Sequence, residues 1–298
     1  MYDVTILTAS KYLNPKTVNW YIRQILDEDN LVKQALEKRG LRTLRTSWDR
    51  QDFDWTKTRY ILFRTIWDYF DRFDEFVPWL DMVNSLTKLI NPYDTIRWNF
   101  DKHYLRDLEG KGVNIPPTLF IEPGEKHTLQ TIVNQSGWKE SVLKPAVSGA
   151  GRHTYRLRPG NIAKHESLFS QLIKSEAMLL QEFQDNVISK GEVALMLFGG
   201  QYSHAVLKKA KAGDFRVQDD FGGSVHDYQP SDEEIKFAEK VVSLCDPIPV
   251  YARVDIIRDN NNDLCISELE LIEPELWFRS RPSAAGLLAG RIADMMEK

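Results

Sequence analysis

The chain has 298 residues, 42% hydrophobic and 28% charged, with a formal net charge of −4. That length exceeds one typical core and implies two or three packed subdomains of roughly 100–150 residues each. Without a Lys/Arg cluster the charge balance excludes a nucleic-acid footprint, and no run reaches the roughly 20 apolar residues of a membrane span. The two cysteines, Cys245 and Cys265, stand outside any CxxC or Cys/His cluster, which argues against a zinc site or disulfide framework and fits a reduced, cytoplasmic setting. Residues 4–7 form an apolar run without the basic flank of a signal peptide.

Residues 3–8 (DVTILT) predict a buried strand. Val18, Ile22, Ile25 and Leu26 recur at helical spacing. After an acidic turn at Asp27-Glu28-Asp29, Val32, Ala35 and Leu36 recur again, and Lys38-Arg39-Gly40 ends that second helix. Residues 41–46 and 60–63 are further strands, the latter running into Arg64-Thr-Ile-Trp67-Asp68. Strand and helix alternating in this order imply parallel βαβ units.

Asn91-Pro92 breaks the pattern. A helix over 101–108 ends at Gly110-Lys-Gly112, and Pro116-Pro117 leads into an apolar run at 118–121. Leu129, Ile132 and Val133 face inward on a helix stopped by Gly137. Residues 141–144 form a strand before a small-residue loop at 146–151; a helix around Leu168, Phe169, Leu172 and Ile173 precedes a strand at 178–183. The last third reads mainly as antiparallel strands. Runs 193–197 and 202–207 flank Gly199-Gly200, a hairpin signal. Ser231 and Glu234 form a capping box for the next helix. Runs 250–257 and 264–271 make a second hairpin, and a closing helix carries Leu288, Ile292, Met295 and Met296.

The second hairpin carries chemistry. On a strand Glu268 and Glu270 share a face while Leu269 and Leu271 point the other way. If the register sets Asp255 beside Glu268, three carboxylates converge. Unpaired, they repel; a hard oxygen-seeking cation such as Mg²⁺ removes that penalty. A solvent-facing strand with ordinary surface acids would show the same spacing. Lys144 ends a strand before Ser148, Gly149 and Gly151, where small residues let backbone N–H groups approach phosphate oxygens. The loop matches neither GxxxxGK[ST] nor GxGxxG, and taken alone a plain turn is the simpler reading. Lys102, alone, reads as a solvated lysine. The segment Gln181-Glu-Phe-Gln184 can offer polar groups to a base edge, with Glu192 accepting from ribose hydroxyls, or be a polar linker.

Together and in this order, these pieces resemble the ATP-grasp superfamily over roughly residues 95–298, and the N-terminal βαβ region is similar to its pre-ATP-grasp domain. The resemblance implies an α/β (α+β) fold: a parallel pre-ATP-grasp substrate domain at 1–95, a central lobe at 96–184 and a C-terminal metal-binding lobe at 185–298, with antiparallel sheets in the two lobes. It implies that Lys102 and Lys144 contact nucleotide phosphates and that the loop at Ser148 and Gly149 closes over them. Gln181, Glu182, Phe183 and Gln184 would hold adenine, the last two through their backbone. Glu192 would hold ribose, and Lys208 would join the nucleotide site. Asp255, Glu268 and Glu270 would bind two Mg²⁺ ions, with Mn²⁺ able to substitute. The stretch 208–218 is similar to the glutathione synthetase and RimK-like branch, where its arginine faces the acyl phosphate. That makes Arg216, with Lys144 and Arg253, the catalytic candidates. Many members end the metal set in Glu-x-Asn; this chain has Glu268-x-Glu270 and then Glu273-Pro274. That pattern, with Arg64-x-x-Trp67-Asp68-Tyr69, is similar to the branch containing the O-ureido-serine cyclo-ligase of the cycloserine pathway.

The implied reaction is an ATP-dependent carboxylate–amine ligation, or an intramolecular cyclisation, through an acyl phosphate on an amino-acid-like substrate. A small-molecule kinase on the same fold and a non-catalytic nucleotide-binding module are the alternatives. Strand ends of the first domain point to Arg64, Trp67 and Asp68 as substrate contacts, with Arg279 beyond the metal strand. Arg64 would pair with a carboxylate and Asp68 with an amine. In the competing arrangement Trp67 is core and Arg64–Asp68 an internal ion pair. The expected partners are a small-molecule carboxylate and an amine, with no nucleic acid or membrane, and a homodimer is allowed. No catalytic base is readable.

Overall fold

The computed structural model describes residues 1–217 and 222–297. Its first sheet is built around β1 (Tyr2–Thr8), buried from Asp3 onward, as a central parallel strand covered on both faces should be. The chain continues through a short α1 (Ser10–Leu13) and α2 (Trp20–Glu37) to β2 (Thr43–Ser47), then β3 (Thr58–Thr65), α3 (Phe73–Leu86) and β4 (Lys88–Ile90). The four strands are parallel in the order β2-β1-β3-β4. The expected acidic turn at 27–29 is instead the middle of one unbroken helix, α2. Asp27 stays exposed, while Glu28 and Asp29 are paired inside. Arg45 Nε donates to Asp29 at 2.7 Å, Thr65 donates to it at 3.2 Å, and Glu28 accepts the backbone N–H groups of Phe278 and Arg279 at 3.0 and 2.8 Å. Buried carboxylates satisfied in this way are tolerated.

Two short helices follow, α4 (Tyr93–Asn99) and α5 (Tyr104–Gly110); α4 lies in a stretch the sequence left unassigned. The second sheet uses β5 (Thr118–Ile121), β6 (Ser141–Pro145), β7 (Tyr155–Leu157) and β8 (Met178–Glu182) in the order β5-β8-β6-β7, with antiparallel pairs. One face is covered by α6 (Leu129–Ser136) and α7 (Ile162–Leu172). Gly137 ends α6 at φ 72°, the left-handed conformation that glycine adopts at no steric cost.

The third sheet contains β9 (Glu192–Phe198), β10 (Gln201–Lys209), β11 (Ser224–Tyr228), β12 (Tyr251–Arg258) and β13 (Leu264–Glu270), antiparallel in the order β11-β10-β9-β12-β13. It is joined by α8 (Asn186–Lys190), α9 (Asp232–Ser243) and a final α10 (Ala284–Met296). The Ser231/Glu234 capping box is present at the start of α9. Central strand β9 serves two cores with its alternate residues. Val193, Leu195 and Leu197 face α5 and α9; Ala194, Met196 and Phe198 face α10, α2 and the first sheet. The closing helix therefore fastens the last lobe onto the first domain. No helix among the described residues is long and apolar enough to cross a membrane.

Candidate active site

One cleft of about 390 Å³ is lined by the second and third sheets and by residues of the first domain that lie outside its strands, and the β12–β13 hairpin gives it its charge. The ladder sets Asp255 opposite Glu268 and Arg253 opposite Glu270, the register that brings three carboxylates to one place. Oxygens of Asp255, Glu268 and Glu270 lie within 4.8 Å of one another. Leu269 and Leu271 turn the opposite way into the core.

Four cations surround these acids. Asp255 accepts from Arg253 Nη2 at 2.9 Å and Lys208 Nζ at 2.8 Å. Burial alone would raise its pKa, but those two charges hold it below the usual carboxylate range. Lys208, buried too, is kept charged by Asp255 and by Glu192 at 2.6 Å. Lys102 Nζ lies 3.2 Å from Glu268 and donates to the Ser148 carbonyl at 2.6 Å. Burial again favours the neutral acid at Glu268, and Lys102 and Lys144 overcome it. Glu270 is different. Burial pushes it up to about 8 against the pull of Arg253, its bonded partner, with Glu268 and Asp255 adding repulsion. Three acids so close do not all ionise cheaply, and an all-oxygen set of carboxylates suits a hard divalent cation. Across the cleft, burial lowers Lys144 to about 8, with Lys102 adding to the shift and Glu268 opposing it.

The loop after β6 forms the roof, with Ser148 and Gly149 on the cleft wall. A Cβ at Gly149 would sit 2.5 Å from the Phe70 ring, so the backbone passes where a larger residue would not fit. Gln181, Glu182, Phe183 and Gln184 line the far end together with Glu192. Phe183 departs from the expected backbone role: its N–H donates to the Glu140 carbonyl at 3.0 Å and its carbonyl accepts from Asn260 at 3.0 Å. Its ring carries the Arg156 guanidinium 3.5 Å from the centroid. The Gln181 side chain donates to Thr118, and Gln184 accepts from the Asn260 N–H. Arg216 reaches the cleft from the basic stretch and is paired with Asp214 at 2.8 Å. Gln218, at the end of that stretch, lies outside the described residues.

The substrate candidates need correction. Arg64 is buried away from the cleft, near Glu28 and Asp29 at 3.7 Å, over the Phe278 ring, and donating to the Pro274 carbonyl at 3.1 Å. Asp68 accepts from the Trp48 indole and pairs with Arg72, so Arg64 and Asp68 do not pair with each other and neither lines the cleft. Arg279 is held by Glu28 and Glu275. Glu28, beside both arginines, and Asp29, beside Arg64, come from the middle of α2, the stretch whose pattern predicts an acidic turn, while Glu275 follows β13. Trp67 does line the cleft, its indole N–H donating to the Glu273 carbonyl at 2.9 Å. Beside it stand residues the reading missed: Lys11, Tyr12, Tyr21, Glu273, Glu275 and Trp277. For Lys11 and Tyr12 a signal existed, since they follow the carboxyl end of the first strand.

This fold and this site define an ATP-dependent carbon–nitrogen ligase of the ATP-grasp class. The chain belongs to the RimK-like ATP-grasp family, whose domain model matches residues 111–272. A model described as the N-terminal domain of D-cycloserine synthetase DcsG matches residues 4–91. The cycloserine biosynthesis protein DcsG of Streptomyces lavendulae is 28% identical over 268 residues, 84% of this chain and 87% of that protein. The crystal structure of D-cycloserine synthetase DcsG is similar at a TM-score of 0.85 and 24% identity, covering 98% of this chain and 99% of that one. A RimK domain ATP-grasp protein from Sphaerobacter thermophilus follows at 0.67 and 16%, covering 98% of both chains. D-alanine–D-alanine ligase from Bacillus anthracis, complexed with ATP, gives 0.65 and 15%, covering 99% of this chain and 96% of that one. The structural likenesses concern the fold.

Proposed function

We propose that this ligase activates a substrate carboxylate as an acyl phosphate and joins it to a nitrogen of a second molecule or of the same one, the substrate being amino-acid-like. One observation carries the reading: the carboxylates of Asp255, Glu268 and Glu270 meet the ammonium groups of Lys102 and Lys144 on a single cleft. A carboxylate is a poor electrophile, and phosphorylation gives it a good leaving group. The transferring phosphoryl group spreads charge over its oxygens, so stabilisation comes from cations fixed in advance.

In this reading Asp255, Glu268 and Glu270 would hold Mg²⁺, with Mn²⁺ accepted in its place, and the ion would supply positive charge to the phosphates. Lys102 and Lys144 neutralise what charge remains. Glu192 accepts from the ribose, and Gln181, Glu182 and Gln184 bound the adenine end, with the Phe183 ring as its apolar wall. Lys208 pairs with Glu192 and Asp255 and holds both in place. Arg216 faces the acyl phosphate, and Arg253 fixes the metal-side acids. The loop at Ser148 and Gly149 keeps water from the intermediate. Residues 1–95 select the substrate, while 96–184 and 185–298 grip the nucleotide between them. Two buried free cysteines support a reducing, cytoplasmic compartment.

The likeness to DcsG makes O-ureido-D-serine the first compound to try for ring closure. The test offers ATP and Mg²⁺ with a panel of D- and L-amino acids, dipeptides and O-ureido-D-serine, following ADP release and identifying products by mass spectrometry. The expected result is ADP, free phosphate and a product with a new carbon–nitrogen bond. A stable phosphorylated product without that bond would overturn the ligation chemistry.

A further inference from the structure

Beyond β13 the chain runs from 271 to 276 outside any strand, and a side chain holds the carbonyl of each residue in turn. Asn91 donates to Leu271 (2.9 Å), Tyr251 to Ile272 (2.6 Å), Trp67 to Glu273 (2.9 Å), Arg64 to Pro274 (3.1 Å), Arg253 to Glu275 (3.5 Å) and His204 to Leu276 (2.8 Å). These donors come from the first domain and from two strands of the third sheet. Backbone acceptors that usually find a ladder partner are here satisfied one by one by side chains. The path of the segment is therefore set before any ligand arrives, which is the preorganisation a reacting group needs.

What this strap presents is Glu273. It lies on the cleft with Arg216, Glu268 and Glu270, yet stands outside the trio whose oxygens converge. The Trp67 indole that holds its carbonyl belongs to an aromatic wall. Tyr12 and Tyr21 lie 6.2 and 6.3 Å from Trp67, centroid to centroid, and Lys11 sits over Tyr12. Aromatic faces of this kind seat a cationic or amine-bearing group, directly beside a carboxylate that is not needed for metal. The charged and titratable groups facing Glu273 are Lys102, Arg253, Glu268, Glu270, Tyr69 and Tyr251. Burial raises it to about 7, its own backbone N–H and Lys102 opposing, so both its states are accessible at neutral pH.

Building on the acyl-phosphate reading, we propose that Glu273 is the catalytic base that takes the proton from the attacking nitrogen. The nitrogen lone pair forms the carbon–nitrogen bond at the acyl carbon. The carbon–oxygen bond to phosphate breaks, and phosphate leaves with that electron pair. The N–H proton passes to a Glu273 carboxylate oxygen and then to water, so no further reagent is consumed. An α-amino group has a pKa of roughly 7.7–8.0, and a base placed to accept its proton contributes roughly 10²- to 10⁴-fold.

Hydroxylamine separates the proton transfer from everything before it, because it is uncharged at neutral pH and attacks acyl phosphates without an enzymic base. Wild type, Glu273→Gln and Glu273→Asp are each given ATP, Mg²⁺ and the amino-acid panel, with and without hydroxylamine. The Gln variant should form hydroxamate at the wild-type rate, while formation of its own product, by free amino acids or by the ureido nitrogen of O-ureido-D-serine, falls roughly 10²- to 10⁴-fold. The rise of that step with pH through neutrality should vanish with it. If Gln unfolds the strap, Asp makes the same test: it keeps the charge but withdraws the oxygens by one methylene, so product formation slows and hydroxamate persists. Product formation at the wild-type rate in the Gln variant would overturn the assignment. So would loss of hydroxamate along with product, which would move Glu273 to nucleotide or metal binding. No hydroxamate from the wild type with any carboxylate is a distinct failure: it would remove the acyl phosphate, and with it the step Glu273 serves.

Discussion

Asp255 and Glu268 face each other across the hairpin, but their removal should have opposite kinds of effect. Asp255 is the counter-charge of two buried cations, Arg253 and Lys208. An Asn there would remove the charge they share, leaving Lys208 with Glu192 and Arg253 with Glu270, at a cost of up to about 3–5 kcal/mol, and the loss of activity would be confounded with unfolding. Glu268 is partly exposed to the cleft and shares Lys102 with the Ser148 carbonyl. Glu268→Gln should therefore abolish ATP turnover while melting within a few degrees of wild type, measured by coupled ADP release and calorimetry; full activity would remove Glu268 from the site. Lys144 gives a pH signature with two signs. Its pKa in the folded chain is about 8, against ~10.4 for an unperturbed lysine. Above pH 8 the folded protein has released a proton that the unfolded chain still binds, so this residue makes stability rise with pH between about 8 and 10.4. Over the first part of that window ATP affinity should fall, because the neutral amine no longer attracts phosphate. Titration calorimetry and urea melts across pH 7–10 check both trends, and Lys144→Met should flatten both. The shared face of Glu268 and Glu270 was legible in the sequence because period-two spacing is local; Lys144 and Lys102, by themselves a plain turn and a solvated lysine, entered only through the family resemblance. The fate of Arg64 was not, since its partners lie on a different element.

That element is α2, and at this scale the reading failed for a physical reason. Three consecutive acids suggest a solvated turn when neighbours are unknown; with Arg45, Arg64 and the 278–279 backbone present, Glu28 and Asp29 are buried in an unbroken helix, and only Asp27 faces solvent. The elements read well were those with an internal signal: the capping box of α9, the glycine stop of α6 and the Gly199-Gly200 hairpin. Short pieces such as β7, β11 and α4 take their form from packing, and local pattern does not announce them. The strap after β13 belongs to the same class. Its hydrogen bonds come from side chains distant in sequence, and Asn91 is the first of them. Asn91 donates to the Tyr251 and Leu271 carbonyls and accepts from the Val250 and Tyr251 N–H groups, fully buried. Each buried backbone group left without a partner costs about 1–3 kcal/mol. Asn91→Ala should lower stability by about 3 kcal/mol or more in urea denaturation. A change below about 0.5 kcal/mol would mean that the strap holds without its anchor to the first domain.

On the scale of the whole molecule the three sheets are not equally independent. The first and third share a core, with Val4, Ile6 and Leu62 meeting Ala194, Met196, Phe198 and the Leu288–Ile292 face of α10. The second sheet closes a core of its own under α6 and α7, and of the described residues only Leu179, Ala146 and the half-buried Phe120 and Ala177 join it to the core of the third sheet. Its residues reach the cleft through Lys144, the loop at 148–151 and the end of β8. A unit with most of its core to itself can open without unfolding the others, and a nucleotide held between the lobes should oppose that opening. Binding stabilises the native state by about 2.7 kcal/mol when the ligand stands at 100 times its Kd. That stabilisation reaches only openings that break the site. Native-state hydrogen exchange should accordingly show amides of β6 and β8 exchanging through a lower-energy opening than those of β1 or β9, and ATP with Mg²⁺ should slow the former by up to about 100-fold. In Glu268→Gln, folded but deprived of a metal-side acid, the same addition should protect them far less. Equal protection of all three sheets by ATP in the wild type would mean that the molecule opens as one body, and that nucleotide capture involves no separate motion of the second sheet.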